Sequence, residues 1–312
     1  MHRLALTIGD PTGIGPEITV KALQRLDELA DTHLTVIGSI KALEDAAKLL
    51  GRPLPSGDRV SFHPIEDTAP GKVAYSSIET AVRIMADKKA DVLVTGPISK
   101  RNLADAGFPF PGHTEILEKL AREIFNAPNS HAEMLFQHEK FRLLLLTRHI
   151  ALKDVPAALA QSGAVARPLK TLISYLRNQQ NISEPRIAIL GINPHSGEVG
   201  GDEEKKYLLP VIHAVNGIGN TQLEGPFPAD GFFRGFDPRN TPYDAVVAAY
   251  HDQGLIPFKI MAGYAAVNVT IGLPFLRTSV SHGTAEAIVG KGIANESSLM
   301  AAIKLAGNIL PT

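Results

Sequence analysis

The chain has 312 residues, 44% of them hydrophobic and 20% charged, and its 31 Lys and Arg against 32 Asp and Glu give a formal net charge of −1. That is the balance of a globular protein, with no global positive field to draw it onto nucleic acid or an anionic membrane. Cysteine is absent, so disulfides, thiolate-held zinc, iron–sulfur clusters and thiol nucleophiles are excluded, and any hard chemistry falls to His, Asp, Glu, Lys or a cofactor.

Short β-rich runs at Leu4–Ile8, Leu34–Ile37, Asp91–Thr95, Phe141–Thr147, Arg186–Leu190, Ala245–Tyr250 and Ala265–Thr270 predict strands. Between them Pro16–Ala30, Ile40–Leu50, Ser76–Lys89, Thr114–Phe125, Ser162–Arg177, Glu203–Val215 and Asn295–Ile309 carry apolar residues three and four apart, the helical period. The alternation predicts an α/β fold with largely parallel sheet. No linker tract, repeat or low-complexity block divides the chain, so two domains would share it discontinuously. Leu4–Ile8 is too short for a signal-peptide core, and the densest apolar run, Leu143 to Leu146, falls far below the ~20 residues of a membrane span. A cytoplasmic protein is expected.

Gly and Pro gather after the strands, where open α/β sheets carry their ligands. The first such turn, Gly9-Asp10-Pro11-Thr12-Gly13-Ile14-Gly15-Pro16-Glu17, lacks both the third glycine of a dinucleotide fingerprint and the Gly-Lys-Ser/Thr of a P-loop. It reads as a tight structural turn or as a ligand contact. His149, His195 and His251 each follow a strand and sit among turn residues. Separations of 46 and 56 residues exclude a local two-histidine motif but allow convergence on one metal, zinc being the commonest occupant of such a set; for each histidine alone, packing or surface is the plainer role. His113, Thr114, Lys259, Asn268 and Arg277 form a set suited to a phosphorylated acid, with a guanidinium fork, a point charge and a hydroxyl. Thr114 also reads as a helix N-cap.

These motifs, with Tyr75–Ala81, Thr95-Gly96-Pro97-Ile98-Ser99-Lys100, Pro111–Glu115, Asn193–Glu198, Tyr250–Gly254 and Val267–Thr284, resemble the 4-hydroxythreonine-4-phosphate dehydrogenase family almost end to end. The resemblance implies an isocitrate/isopropylmalate dehydrogenase-like fold of two α/β/α domains, here drawn as 1–125 with 280–312 and as 126–279, with the site in the cleft. It implies a homodimer sharing its active sites, and neither nucleic acid nor membrane as partner. His149, His195 and His251 become ligands of a divalent metal (zinc, magnesium or cobalt). His113, Thr114, Lys259, Asn268 and Arg277 become contacts of a small phosphorylated substrate, with Lys259 and Asp230 as candidate proton carriers. His282, Gly283 and Thr284 become contacts of NAD or NADP. The implied reaction oxidises 4-phosphohydroxy-L-threonine to a β-keto acid that loses carbon dioxide, in pyridoxal 5'-phosphate biosynthesis. D-threonate or D-erythronate 4-phosphate is the alternative substrate, and a metallohydrolase or a silent metabolite-binding protein are readings from other classes. The chain departs from the family at Glu286-Ala287-Ile288-Val289-Gly290, where Phe-Asp-Ile-Ala-Gly is usual, which leaves the choice between NAD and NADP open.

Overall fold

The computed structural model describes residues 2–29, 31–217 and 220–309. The chain folds as two units, Met1–Ala132 with Tyr264–Thr312, and Glu133–Gly263. The units part at 132/133 and 263/264, against the expected 125/126 and 279/280.

The first unit begins with β1 (His2–Thr7), α1 (Gly15–Leu23), β2 (Thr32–Gly38), α2 (Ile40–Leu50), β3 (Val60–Pro64), α3 (Pro70–Ala86), β4 (Val92–Thr95), α4 (Lys100–Asp105) and α5 (His113–Ile124). The second holds β5 (Glu133–His138), β6 (Phe141–Leu145), α6 (Val155–Leu159), α7 (Ala166–Asn178), β7 (Arg186–Leu190), α8 (Leu209–Asn216), β8 (Gln222–Phe227), α9 (Ala229–Phe233), β9 (Ala245–Ala248) and α10 (His251–Ala262). The chain then returns to the first unit as β10 (Val267–Ile271), β11 (Arg277–Val280) and α11 (Ser297–Asn308). That return precedes residue 280 because β11 pairs in parallel with β4 and takes β10 with it as an antiparallel neighbour.

Strands of the first unit run β3-β2-β1-β4-β11-β10, and those of the second β5-β6-β9-β7-β8. All pairs within each set are parallel except β10 with β11 and β5 with β6. Strand residues alternate between two helical layers. In the first unit Ala5 and Leu93 pack with Ile78, Val82, Leu117 and Leu120 of α3 and α5, while the Thr278 hydroxyl donates to the Ala302 carbonyl of α11 on the opposite face. That alternation sends Arg277 and Ser279 to the α5 side.

The helix expected over Pro16–Ala30 ends at Leu23, and Ala30 lies outside the described residues. α3 starts at Pro70 rather than Ser76, its proline in the first turn where no N–H is missed. The Gly9–Glu17 turn is a close crossing of main chains: a Cβ on Gly9 would run into the Pro97 carbonyl, and one on Gly15 or Gly96 into that of Ile8. No helix among the described residues is long and apolar enough to cross a membrane.

Candidate functional site

Cross-strand register builds the first unit's site. Thr7 lies opposite Thr95, Thr95 opposite Ser279, and Ser279 opposite Asn268, so four polar side chains from β1, β4, β11 and β10 share one face. Arg277, two residues before Ser279, points the same way and is 3% exposed. Its Nε and Nη2 donate to the Thr95 hydroxyl (2.9 and 2.6 Å) and its Nη1 to the Thr270 hydroxyl (3.2 Å). Among the described residues it has no carboxylate partner, and burial pushes it down to about 9, so it stays charged at neutral pH. An unneutralised buried cation is costly unless an anion completes it.

α5 packs on this same face and brings its N-terminus to the cation. His113 is its first residue; no side chain caps this helix start, and the N-cap position is Gly112, so Thr114 lies inside the first turn and is not the cap. Desolvation, and then the nearby Arg277, hold the His113 imidazole well below its ordinary range, and it is neutral at pH 7. Its Nε2 is buried without a partner, as is Oδ1 of Asn268. A buried guanidinium without a carboxylate and an uncapped helix start offer donors suited to an anion, whereas Asn268 Oδ1 is an acceptor suited to an N–H or O–H beside it.

His282, Gly283 and Thr284 follow β11. Ile14 N donates to the Thr284 carbonyl (3.1 Å), and the Thr284 side chain closes over Gly13. Nothing lies within 4 Å of a Cβ placed on Gly283, and His282 Nε2 is buried without a partner. Glu286 is exposed in the turn that follows.

In the second unit the three histidines leave the ends of β6, β7 and β9. The Thr147 hydroxyl donates to the Ala249 carbonyl (2.7 Å), joining the segments that carry His149 and His251. The Gln253 amide then accepts from Ala249 N (2.7 Å) and donates to the Gly191 carbonyl (2.5 Å), reaching the His195 segment. Glu204, 1% exposed in a π-helical turn before α8, accepts from the backbone of Ile192 (2.7 Å) and Asn193 (2.6 Å). Sequence reasoning did not single out Gln253 or Glu204. Gln253 stood within the Tyr250–Gly254 motif, whereas a buried glutamate at a helix start carries no signal without the fold.

His149 and His251 are neighbours, with ring centroids 5.8 Å apart. They line a cavity of about 310 Å3 with Tyr250 and Asp252. His251 Nδ1 donates to Asp252 Oδ1 (2.6 Å), which leaves Nε2 as the nitrogen open to a ligand. His195 lines a separate cavity of about 260 Å3 with Asp230 and Gln253, and Tyr250 stands in the wall of both. The donor chemistry of His149 and His251 fits a divalent metal, but the expected set of three is not gathered: among the described residues no three His, Asp or Glu side chains group to hold an ion. The reason is local. His195 and Ser196 both adopt left-handed backbone (φ 53° and 55°) in the Pro194–Gly197 turn, which places the His195 ring in the second cavity. Lys259 is exposed, eight residues and about 12 Å along α10 from His251, and lines neither cavity.

The family model described as pyridoxal phosphate biosynthetic protein PdxA matches residues 23–306. The chain belongs to that family. A 4-hydroxythreonine-4-phosphate dehydrogenase of Sulfurihydrogenibium is 36% identical, over 98% of each chain. A D-threonate 4-phosphate dehydrogenase of Cupriavidus necator is 38% identical, over 96% of this chain and 95% of its own. Among solved structures, the crystal structure of 4-hydroxythreonine-4-phosphate dehydrogenase from Klebsiella pneumoniae superposes with a TM-score of 0.84 at 32% identity, covering 98% of this chain and 97% of that one. The α/β fold expected from the sequence is that of this PdxA family.

Proposed function

We propose that the chain is an NAD(P)-dependent dehydrogenase that oxidises the secondary alcohol of 4-phosphohydroxy-L-threonine, giving 2-amino-3-oxo-4-phosphooxybutanoate, which decarboxylates to 3-amino-2-oxopropyl phosphate. The observation that carries this is the buried Arg277 guanidinium, whose partners are two neutral hydroxyls, with the unpartnered His113 Nε2 in the same unit. In a member of this family, such a site fits the phosphate or carboxylate of the substrate. Arg277, His113 and Thr114 would hold it there and fix the reacting carbon, with Asn268 accepting from a neighbouring substrate N–H or O–H.

His149 and His251 would hold a divalent metal, and His282, Gly283 and Thr284 would contact the nicotinamide dinucleotide. When bound, the ion supplies Lewis acidity toward the substrate hydroxyl and the nicotinamide accepts a hydride. The chain's own contribution at this end is to orient. Asp252 fixes the tautomer of His251, and Asp230, which lines the same cavity as His195, would serve as a proton carrier. A homodimer belongs to this reading, supported by Ile256 and Ile260, which stand four residues apart on α10 and are 58% and 78% exposed.

The similarity to a D-threonate 4-phosphate dehydrogenase, at 38% identity against 36–39% for the 4-hydroxythreonine-4-phosphate dehydrogenases, supports a second reading in which a hydroxyl replaces the substrate's amino group. One assay separates them: NADH and NADPH formation from 4-phosphohydroxy-L-threonine and from D-threonate and D-erythronate 4-phosphates, with and without a chelator. Chelator-sensitive turnover of the amino acid is expected. Turnover confined to the sugar acids would replace the first reading with the second, and no dinucleotide reduction with any of them would remove both.

A further inference from the structure

Arg277 is held in an unusual way. Buried arginines are ordinarily neutralised by a carboxylate, yet here the Nε and Nη2 edge of the fork rests on one threonine hydroxyl and Nη1 on another. These three bonds use three of the five N–H groups, and two remain without an acceptor among the described residues. The Thr95 hydroxyl is itself oriented. It donates to Ser279 Oγ (2.9 Å), whose own proton goes to the Thr95 carbonyl (3.0 Å). With its proton committed to Ser279, the Thr95 oxygen turns its lone pairs to the guanidinium. Register makes this arrangement rigid, because Thr95 faces Ser279 and Thr270 faces Arg277 in adjoining strands.

We propose that Thr95 and Thr270 are positioning residues for Arg277, two neutral acceptors that fix the plane of the guanidinium while leaving its full charge for an anionic group of the substrate. A carboxylate in either place would hold the fork equally well but cancel the charge the substrate needs. The proposal rests on the reading of Arg277 as the anion contact.

The test compares Thr95→Val, Thr95→Ser, Thr270→Val and Arg277→Ala with the intact enzyme. Circular dichroism and thermal melting check each fold, steady-state kinetics with the phosphorylated substrate give kcat and KM, and thermal stabilisation by inorganic phosphate is read separately. Thr95→Val is isosteric and leaves Ser279 its bond to the Thr95 carbonyl. It is expected to raise KM about tenfold, the scale of one hydrogen bond to a charged group, with kcat changed much less and with the phosphate-induced shift reduced. Thr95→Ser keeps the hydroxyl and should restore both. Thr270→Val should give the same pattern with a smaller rise, since it removes one bond rather than two. If Arg277→Ala raises KM while folded Thr95→Val and Thr270→Val enzymes keep the original KM and phosphate shift, the threonines do not position the fork and the proposal fails. Equal losses of kcat and melting temperature in Thr95→Val and Thr95→Ser would assign them a purely structural role and overturn it equally. If Arg277→Ala leaves KM and the phosphate shift unchanged, the underlying reading of Arg277 is what fails.

Discussion

Arg277 and His113 show how burial converts ordinary side chains into a tuned pair. Lysine at 277 would keep a positive charge but lose the planar fork that both threonines clasp, so Arg277→Lys should raise KM for the phosphorylated substrate roughly tenfold with a smaller change in kcat, as steady-state kinetics will read. The imidazole of His113 has its folded-state pKa depressed, first by desolvation and then by Arg277. Below about pH 6.5 the unfolded chain protonates this group and the folded chain resists doing so. Its contribution to stability is therefore complete above that pH and is lost as the pH falls toward the depressed folded value. Urea melts at pH 7.5 and 5.5 should show the protein less stable at the lower pH, and His113→Gln should shrink that difference. An unchanged difference would mean that His113 does not titrate with unfolding.

At the scale of elements, α10 is the most instructive. The sequence HDQGLIPFK reads as a turn because it holds Gly254 and Pro257, yet it forms a helix over His251–Ala262. The glycine serves packing: a Cβ there would come within 2.8 Å of Ala248 Cβ and 2.9 Å of the Leu143 methyls, the strands on which α10 lies. Gly254→Ala, which in an exposed helix would stabilise by about 1 kcal/mol, should here destabilise by about 1–3 kcal/mol through overpacking, measured by urea denaturation. Strands that are mostly buried, such as β1, β4, β7 and β9, were legible from their apolar runs. β3 was not, since one of its five residues is buried, and neither was β11, where Arg277, Thr278 and Ser279 look like a polar loop until pairing with β4 and β10 hides them. The three histidines and the set around Arg277 stood out by residue type and turn context. What the sequence could not convey was their grouping, because the left-handed turn that carries His195 away from His149 and His251 is a backbone conformation without a period. Glu204→Ala should cost about 1–3 kcal/mol by leaving the Ile192 and Asn193 amides unsatisfied, read in the same denaturation experiment.

For the whole molecule, the exposed isoleucines of α10 bear on assembly. Ile260→Lys should shift the protein toward monomer in sedimentation velocity at micromolar concentration, and an unaltered dimer would take this face of α10 out of the interface. The allocation of chemistry between the units reaches further. Arg277, Thr95, Thr270, Asn268 and His113 all belong to the first unit, and His149, His195, His251 and Asp230 all belong to the second. On the proposed reading, the residues for an anionic handle are thus encoded apart from those for the metal and the proton, in a segment interrupted by the other rather than interleaved with it. A lineage keeping the first segment intact could accumulate substitutions in the second, inheriting its hold on a phosphorylated metabolite while exploring new oxidations.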